Sequence, residues 1–419
     1  MCAMHLLVRK RGQSGPLAEE ENGDAAMKTI IMQSIDRYLG RMVCGMMSVF
    51  HRRHKQPPET LTHLVIIKMF GMGSIVLMSP MVRALKNRYP GVRISFVSLS
   101  ENLRVPGMYD MTDHCYGIRR SSMFAFAFDT LRTILQLRSR HVSAVLDAEF
   151  FSRYTAVFSF LIRPRYHAGF YNRDIYRGNL IDYHAYFNPY RHMIDNFNEL
   201  ALSLSCACTD HRLEFPQLSE AVFDGCARAL RSAGIEDTAR LVLVNPNVSD
   251  TSPLIDRSWP LEHFAAFARD AISRGYTVGY IGSPSQKEHT AHAAGLAPGA
   301  VSLAGVLSLE ELLACMSRSL LLLTNDSGPL HLAASVDLPT FAFFGTESPV
   351  IFGHSAGLHQ TFYRGYACSP CLSVFNYKRG ICEFGSRCMK DISVEKVIDR
   401  FHSLEEALKA DQQSRTRKH

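Results

Sequence analysis

No stretch of this 419-residue chain stays apolar over the roughly 20 residues that a membrane-spanning helix requires. The opening residues, MCAMHLLVRKRGQSG, hold too short an apolar segment for a secretory signal peptide. The cysteines do not indicate a disulfide framework either, because there are eleven of them, an odd number, and they are mostly scattered. We therefore expect a protein of the reducing cytosol.

The chain also lacks the pattern of a nucleic-acid-binding protein. Its net charge is +7, but the basic residues form no single stripe interleaved with aromatic residues. Hydrophobic residues make up 47% and charged residues 20% of the chain, which is ordinary for a folded globular protein. Since 419 residues exceed what one hydrophobic core usually organises, we expect two domains and no nucleic-acid partner.

Residues 28–55 have the pattern of a basic amphipathic helix that ends in HRRHK. Its apolar positions recur every three or four residues: Ile31, Ile35, Leu39, Met42, Met46 and Phe50. Such a helix can lie on the anionic inner leaflet of a membrane, where each nearby Lys or Arg contributes about 1 kcal/mol. It can equally pack on the protein's own domain. The sequence leaves both open, and KQPPET follows as a linker.

From residue 63 onward, strand patterns alternate with helix patterns. HLVIIKMF is a continuous β-branched run of the kind buried on both faces of a parallel sheet, and LVLVNPNV begins a second βα series at residue 241. The alternation predicts the α/β class, with two doubly wound parallel sheets and a boundary near residues 205–238. In such sheets ligands bind at the carboxyl ends of strands, so the loops there should carry the chemistry.

The most unusual of these loops lies within LLLLTNDSGPLHLAAS, residues 320–335. Asp326 and Ser327 end a strand, Gly328 permits a close backbone approach, and Pro329 suits the first helical turn, where its missing N–H costs nothing. Free N–H groups at a helix N-terminus favour phosphate, and Asp326 can bond sugar hydroxyls beside it. The alternative is that Asp326 or Ser327 only caps the helix.

Two further loops follow predicted strands. In NPNVSDTSPLIDRSWPLEHF the strand ends at Asn245, and the loop that follows contains Arg257. An arginine at such a place can neutralise a diphosphate, and the alternative is a solvated loop charge. In IIKMFGMGSIVL a strand-to-helix turn contains Gly71 and Gly73. Val76 stands where a dinucleotide fingerprint requires a third glycine, so an oxidoreductase is disfavoured.

Taken together, these segments resemble glycosyltransferase family 9, the bacterial ADP-heptose:lipopolysaccharide heptosyltransferases. The resemblance rests on NDSGPLHLAA, LPTFAFFGTESP, RSWPLEHFAAFA and IIKMFGMGSIVLMSPMVRALKNRYP, and it covers roughly residues 60–400. It implies a GT-B fold of two Rossmann-like domains facing a cleft. The expected division is an N-terminal extension (1–60), an acceptor domain (61–205), an interdomain segment (206–238), a donor domain (239–390) and a C-terminal helix with a basic tail (391–419).

The resemblance also implies transfer of heptose, with inversion, from ADP-heptose to a lipopolysaccharide core or similar glycolipid, without a cofactor for catalysis. No residue identifies the sugar unambiguously, so another hexose or heptose is an open alternative. On this view the donor site comprises Asn245, Arg257, Asp326, Ser327, Gly328, Pro329, Leu330 and His331. The N–H groups of Ser327, Gly328 and Leu330 and the guanidinium of Arg257 would stabilise the departing diphosphate. His331 would brace the loop.

The acceptor segment is expected within residues 163–193, where Arg163, Arg173 and Arg177 are interleaved with tyrosines. Arginines bind phosphate or carboxylate, and aromatic faces stack on sugar rings, so the composition suits an anionic glycolipid. The competing interpretation is a solvated loop whose tyrosines are half-buried in the domain.

The catalytic base is the main departure from the family. Many heptosyltransferases have an aspartate after the glycine turn, whereas this chain has Ser74, which cannot take the acceptor proton unaided and would also serve as a helix N-cap. We expect Glu149 or Asp147, in AVLDAEFFSR, to replace that base from the end of another strand. Because the expected acid is absent, a nucleotide-sugar-binding or assembly protein that has lost catalysis remains the alternative.

Four cysteines near the C-terminus form a separate motif: Cys368, Cys371, Cys382 and Cys388. Four thiolates can close around one structural zinc or iron, although the second pair is spaced more widely than in a usual knuckle. Reduced thiols and a disulfide are the other two interpretations.

Overall fold

The computed structural model describes residues 34–51, 56–248, 255–376, 378 and 380–418. They form two six-stranded sheets in which all neighbouring strands run parallel. The predicted α/β class with two doubly wound parallel sheets is confirmed. Among these residues, no helix is long and apolar enough to cross a bilayer.

The first sheet has the order β3-β2-β1-β4-β5-β6. Its strands are β1 (His63–Ile67), β2 (Arg93–Leu99), β3 (His114–Ile118), β4 (Ala144–Asp147), β5 (His167–Tyr171) and β6 (Tyr183–Tyr186). The helices of this part of the chain are α1 (34–48), α2 (Met72–Val76), α3 (Ser79–Arg88), α4 (Arg104–Met108), α5 (Met123–Arg138), α6 (Arg153–Ile162) and α7 (Met193–Leu202).

The second sheet has the order β12-β11-β10-β7-β8-β9. Its strands are β7 (Leu241–Asn245), β8 (Thr277–Tyr280), β9 (Val301–Ser302), β10 (Leu321–Asn325), β11 (Thr340–Phe344) and β12 (Gln360–Tyr363). The helices of this part are α8 (Glu220–Ser232), α9 (Leu261–Ser273), α10 (Lys287–Gly295), α11 (Leu309–Arg318), α12 (Gly328–Ser335), α13 (Pro349–Phe352), α14 (Arg387–Lys390) and α15 (Val394–Lys418).

The central strands explain why their sequences are continuously apolar. All five residues of β1 are buried, because helices cover both faces of the sheet. Leu64 and Ile66 face one core, whereas Val65 and Ile67 face the other. The core that contains Leu64 also contains Leu243 of β7, so one apolar cluster continues from the first sheet's domain into the second. This continuity holds the two domains in contact.

The segments predicted to connect or extend the domains pack on the second one. In α8, Cys226 and Leu230 share a core cluster with Leu313 of α11. In α15, the guanidinium of Arg415 donates to the main-chain carbonyls of Ser317 and Ser319, each at 2.9 Å. Both helices are therefore built into the second domain.

The amphipathic segment is helical where it is described, over residues 34–48, and residues 28–33 and 52–55 of the prediction lie outside the described residues. One face of α1 packs on α6. The Asp36 carboxylate accepts the backbone N–H of Tyr154 at 2.7 Å, Gly40 lies against Arg153, and Cys44 is buried. The predicted packing on the protein's own domain is thus present on this face.

We expect Asp36→Ala to loosen α1, because the substitution removes an anion that caps the N-terminus of α6. Loss of such a cap costs about 1 kcal/mol. Hydrogen exchange of the α1 amides should accelerate while the amides of β1 stay protected. Unchanged protection of α1 would contradict this role, and Asp36→Asn, which keeps one acceptor oxygen, should show a smaller effect.

Candidate active site

The two domains meet at two short strand-to-helix turns. Gly71, at φ +86°, precedes α2, and Gly73 in its first turn lies directly against α12. A Cβ on Gly73 would stand 2.4 Å from Cδ2 of His331 and 3.3 Å from Cα of Gly328. Only glycine permits this contact, so the predicted glycine turn of the first domain adjoins the helix N-terminus of the second.

Side-chain hydrogen bonds hold the turn that precedes α12. The Asn325 amide accepts the N–H of Trp259 at 2.9 Å and donates to the carbonyl of Pro246 at 3.0 Å. Asn245 donates to the hydroxyl of Ser327 at 2.9 Å and is itself buried. Asn245 therefore positions the turn from below, which counts against its expected contact with the donor.

The donors at this helix end differ from the predicted set. The N–H of Leu330 already bonds the carbonyl of Ser327, at 3.1 Å, so it is used within the turn. Ser327 is the N-cap residue, with no side-chain cap bond, and Pro329 occupies the first turn. Among the described residues, the N–H groups of Ser327 and Gly328 donate to no backbone carbonyl. These two amides are the ones available to an anion.

A cluster of four charges adjoins those amides. Nη2 of Arg257 lies 3.2 Å from Asp326 and 3.8 Å from Glu347, and Nζ of Lys378 lies 2.8 Å from Glu347. Burial, and next the charge of Glu347, raises the pKa of Asp326 to about 6. Two cations thus share a buried site with two carboxylates, an arrangement able to receive a further anion if Asp326 takes up a proton.

Sequence reasoning missed Glu347 and Lys378. Glu347 follows β11, the neighbour of β10, so the same rule of strand ends that selected Asp326 points to it. Lys378 lies in the cysteine-rich segment, and nothing in the local pattern shows that this segment returns to the cleft.

His331 is buried, with Nδ1 3.1 Å from Nε2 of His354. Burial, followed by the charges of His192 and Lys378, lowers the pKa of His331 to about 3. The imidazole is therefore neutral at physiological pH. It packs against Gly73 and offers no positive charge to a diphosphate.

Glu149 lies beside the glycine turn, but its carboxylate is engaged. It binds Nζ of Lys68 at 3.1 Å and accepts the N–H groups of Met69 at 2.7 Å and Phe70 at 3.2 Å. The residue is 6% exposed. Burial lowers the pKa of Lys68, and the Glu149 charge opposes that shift. Four donor contacts therefore occupy the carboxylate that the sequence predicts as a base.

Asp147 lies deeper and forms an ion pair with Arg177, and it also accepts the hydroxyl of Thr155 at 2.8 Å. Arg177 donates to the carbonyl of Phe170 at 2.8 Å and is buried as well. Neither side chain presents an atom to the cleft. This corrects the expectation that Asp147 is a base and that Arg177 binds the acceptor, because each neutralises the other inside the domain.

The other two residues predicted to bind the acceptor, Arg163 and Arg173, lie at opposite edges of the sheet. Arg163 is the C-cap of α6, and this helix runs back from the carboxyl end of β4, so Arg163 lies at the opposite edge of the sheet from the cleft. Arg173 follows the carboxyl end of β5 and is exposed on the cleft side. The segment contains strands β5 and β6, and Tyr171 stacks on His184 at 4.1 Å between ring centroids. Tyr171, Tyr183 and Tyr186 therefore belong to the sheet, whereas Tyr176 and Tyr190 are exposed in loops.

Ser74 lies in the first turn of α2, partly exposed. The N-cap of this helix is Gly71, and no side chain caps it, so the expected N-cap role of Ser74 is not realised.

The four C-terminal cysteines are free thiols. Among the residues that the structure describes, no three His, Cys, Asp or Glu side chains are grouped so as to hold a metal ion. Burial, with a further contribution from the other three cysteines, raises the pKa of Cys388 to about 11, whereas backbone hydrogen bonds from Ser386 and Phe384 help to lower the pKa of Cys382. Of the three interpretations of these cysteines, the disulfide is absent, and the described side chains form no group that fits a zinc or iron ion.

Comparison with known proteins places this geometry in a family. The sequence model of glycosyltransferase family 9 (heptosyltransferase) matches residues 131–379, and the chain belongs to this family. Lipopolysaccharide heptosyltransferase 2 of Salmonella typhimurium is 30% identical over 159 residues, which are 35% of this chain and 42% of that protein. The match thus spans less than half of the length of this curated relative.

Solved structures share the fold. A family 9 glycosyltransferase from Veillonella parvula superposes with a TM-score of 0.68 at 20% identity, covering 85% of this chain and all of that one. ADP-heptose lipopolysaccharide heptosyltransferase II of E. coli gives 0.66 at 16% identity, covering 84% of this chain and 100% of the other. The dodecameric, iron-containing heptosyltransferase TibC of E. coli gives 0.50 at 14% identity, covering 85% and 78%. The predicted family and GT-B-like architecture are confirmed.

The buried pair of Lys68 and Glu149 leads to a stability prediction. Glu149→Gln should lower the free energy of unfolding by about 3 kcal/mol, because it leaves a buried ammonium without its counter-charge. Lys68→Met combined with Glu149→Gln should recover most of that loss, since both charges are then removed. Urea denaturation of the wild type, both single variants and the double variant measures the coupling. A Glu149→Gln variant as stable as the wild type would contradict the pairing.

Proposed function

We propose that this protein is an inverting glycosyltransferase that moves a heptose from ADP-heptose to a lipid-linked saccharide such as the lipopolysaccharide core. The observation that carries the proposal is the N-terminal end of α12, where the amides of Ser327 and Gly328 and the guanidinium of Arg257 surround a position facing the glycine turn of the other domain. Its relatives include lipopolysaccharide heptosyltransferases, which supports this donor and this class of acceptor.

The donor half of the mechanism follows from charge. As the bond from the sugar to the diphosphate breaks, negative charge grows on the leaving oxygens. The two amides, which donate to no backbone carbonyl, and Arg257 would stabilise that charge, and Lys378 adds a second cation nearby. Asp326 would accept hydrogen bonds from sugar hydroxyls or donate one when protonated. The proposal assigns no cofactor to the transfer.

Inversion constrains the acceptor side of the mechanism, because the acceptor hydroxyl must attack the sugar from the face opposite the diphosphate. Asp326 touches Arg257 and therefore lies on the leaving-group side. The base must come from the first domain, where Glu149 lies at the glycine turn and Ser74 is partly exposed. We propose Glu149 as the base, with Ser74 bonding a substrate hydroxyl and Arg173 binding an anionic group of the acceptor. Residues 28–55 would hold the protein at the inner leaflet, where such an acceptor is presented.

A second candidate is a nucleotide-sugar-binding or assembly protein with impaired catalysis. Two observations favour it: Ser74 occupies the position of the family's acid, and the Glu149 carboxylate is bound by Lys68 and two backbone amides. Radiolabelled ADP-heptose with extracted acceptor lipid, run beside ADP binding, separates the two. Binding without turnover on any acceptor would favour the second candidate.

Donor affinity should depend on the ionisation of Asp326. Its pKa of about 6 means that the carboxylate is charged at neutral pH and neutral below pH 6. Because a charged Asp326 repels the diphosphate, affinity for a nucleotide diphosphate sugar should rise several-fold as the pH falls from about 7.5 to about 5.5. Calorimetric titrations across this pH range measure the affinity for the nucleotide diphosphate sugar. Asp326→Asn, with no titrating group, should give a flat profile, and an equally steep profile in that variant would contradict the assignment.

The proposed base is tested by turnover. Glu149→Gln should lower kcat by roughly 10²- to 10⁴-fold with unchanged ADP affinity, whereas Asp147→Asn should act mainly on stability. Since Glu149→Gln also removes a counter-charge, the thermal midpoint of each variant is measured alongside, and Lys68→Met serves as the control that disturbs the same pair. Ser74→Asp should restore or raise activity if the site still accepts the family's acid. Near wild-type turnover in Glu149→Gln would eliminate the base.

A further inference from the structure

Helices α5 and α6 cover one face of the first sheet, and α6 lies between α5 and α1. On one side, Cys44 of α1 and Ala156 of α6 share a buried cluster. On the other, the ring of Tyr154 in α6 lies 5.0 Å from that of Phe126 in α5, and its hydroxyl bonds Thr130 at 2.8 Å. Tyr154 also donates its backbone N–H to Asp36 of α1. The three helices form one layer.

The outer face of this layer is apolar. On α5 an exposed stripe recurs at helical spacing, with Phe124 82%, Phe128 52%, Leu131 58% and Leu135 58% exposed. A second stripe, on α1 and the turn that follows it, comprises Ile35, Tyr38, Leu39, Met42, Met46, Val49 and Phe50. Between the stripes, Val157 and Leu161 of α6 are partly exposed. Helices of a soluble domain usually present polar residues on this side, so an apolar face this broad marks a binding surface.

Charge identifies the kind of partner. Within the described part of α1, α5 and α6 the acidic residues are Asp36 and Asp129. Asp36 accepts backbone N–H groups of α6, and Asp129 is bound by the backbone and guanidinium of Arg119, so both face inward. The exposed charges of the layer are cationic: Arg37 and Arg41 on α1, and Arg132 and Arg138 on α5. An apolar face bordered by arginines without exposed carboxylates is complementary to an anionic lipid surface.

The direction of the chain relates this face to the cleft. Because α5 and α6 follow β3 and β4, their N-terminal ends lie at the carboxyl edge of the sheet, where the glycine turn also lies. Phe124, at the start of α5, therefore stands at the rim of the domain on the cleft side. A surface bound along these helices would lie alongside the opening of the cleft.

We propose that the outer face of α1, α6 and α5 is a docking surface for an anionic membrane, with α5 contributing as much as the N-terminal helix. Aromatic and aliphatic side chains enter the boundary between headgroups and acyl chains, and the arginines bind lipid phosphates. Presentation of a lipid-linked acceptor along this face rests on the proposed function, whereas lipid binding itself does not.

Flotation with liposomes of phosphatidylcholine containing phosphatidylglycerol tests the surface with the full-length protein. Replacing Phe124, Phe128, Leu131 and Leu135 together by Gln should lower the partition coefficient at least about tenfold, since these side chains supply much of the buried apolar area. Arg132→Gln and Arg138→Gln should each lower it about fivefold on anionic liposomes and have little effect on phosphatidylcholine alone. These positions are exposed, so circular dichroism and ADP binding should be unchanged.

A matched control replaces exposed apolar residues of the second domain, Val306, Ile381 and Phe384, by Gln. This variant should float like the wild type. Equal flotation of the α5 variant and the wild type would overturn the proposal, as would equal loss in the control. If the α5 substitutions instead convert an oligomer to a monomer in sedimentation velocity without altering flotation, the face joins copies of the chain and the lipid proposal is wrong. Flotation does not depend on turnover, so this experiment tests the docking surface separately from the transferase activity.

Discussion

The close approach of Gly73 to His331 is the contact on which the arrangement of the site depends. A side chain at Gly73 would overlap the imidazole, so the N-terminus of α12 could not then reach the glycine turn of the first domain. The absent side chain lets α2 and α12 bring their first turns together, and the apolar cluster running through Leu64 and Leu243 keeps the domains in register behind them. His331, neutral because it is buried, fills this contact without adding charge beside an anion site.

Charge is distributed unevenly across the cleft. On the second domain, Arg257 and Lys378 adjoin the amides of Ser327 and Gly328, and the carboxylates of Asp326 and Glu347 offset the positive charge of the two cations. On the first domain, both carboxylates near the turn are already bound, Asp147 by Arg177 and Glu149 by Lys68. The donor half is thus more completely formed than the acceptor half, which is the asymmetry expected if acceptor binding must rearrange the pair of Lys68 and Glu149.

The proposed membrane surface complements this division of roles. In the proposed function the second domain binds the soluble, charged substrate, and the first domain has the exposed apolar residues of α1 and α5 beside the same opening. A protein with this layout can meet its two substrates from different phases. The helix that packs through Asp36 and Cys44 is therefore a structural part of the domain, and its outer face is part of the lipid contact that we propose.

The sequence by itself determined the alternation of strands and helices, the continuously apolar central strands and the turns at Gly71 and Asp326, because these follow from local periodicity and backbone chemistry. The sequence did not predict the edge strands β3, β6, β9 and β12, since strands covered less completely carry a weaker apolar signal. It also missed the inner strand β5, whose sequence HAGFY contains no continuous apolar run. Only the tertiary structure decided the roles of the charged residues. The sequence motif contains residue types found in catalytic sites: Asp147, Glu149 and Arg177. In the fold, however, Asp147 bonds Thr155, Glu149 bonds Lys68, and Arg177 bonds the carbonyl of Phe170, all on neighbouring segments. Whether a carboxylate is free depends on which residues the sheet places beside it, and no local pattern encodes that.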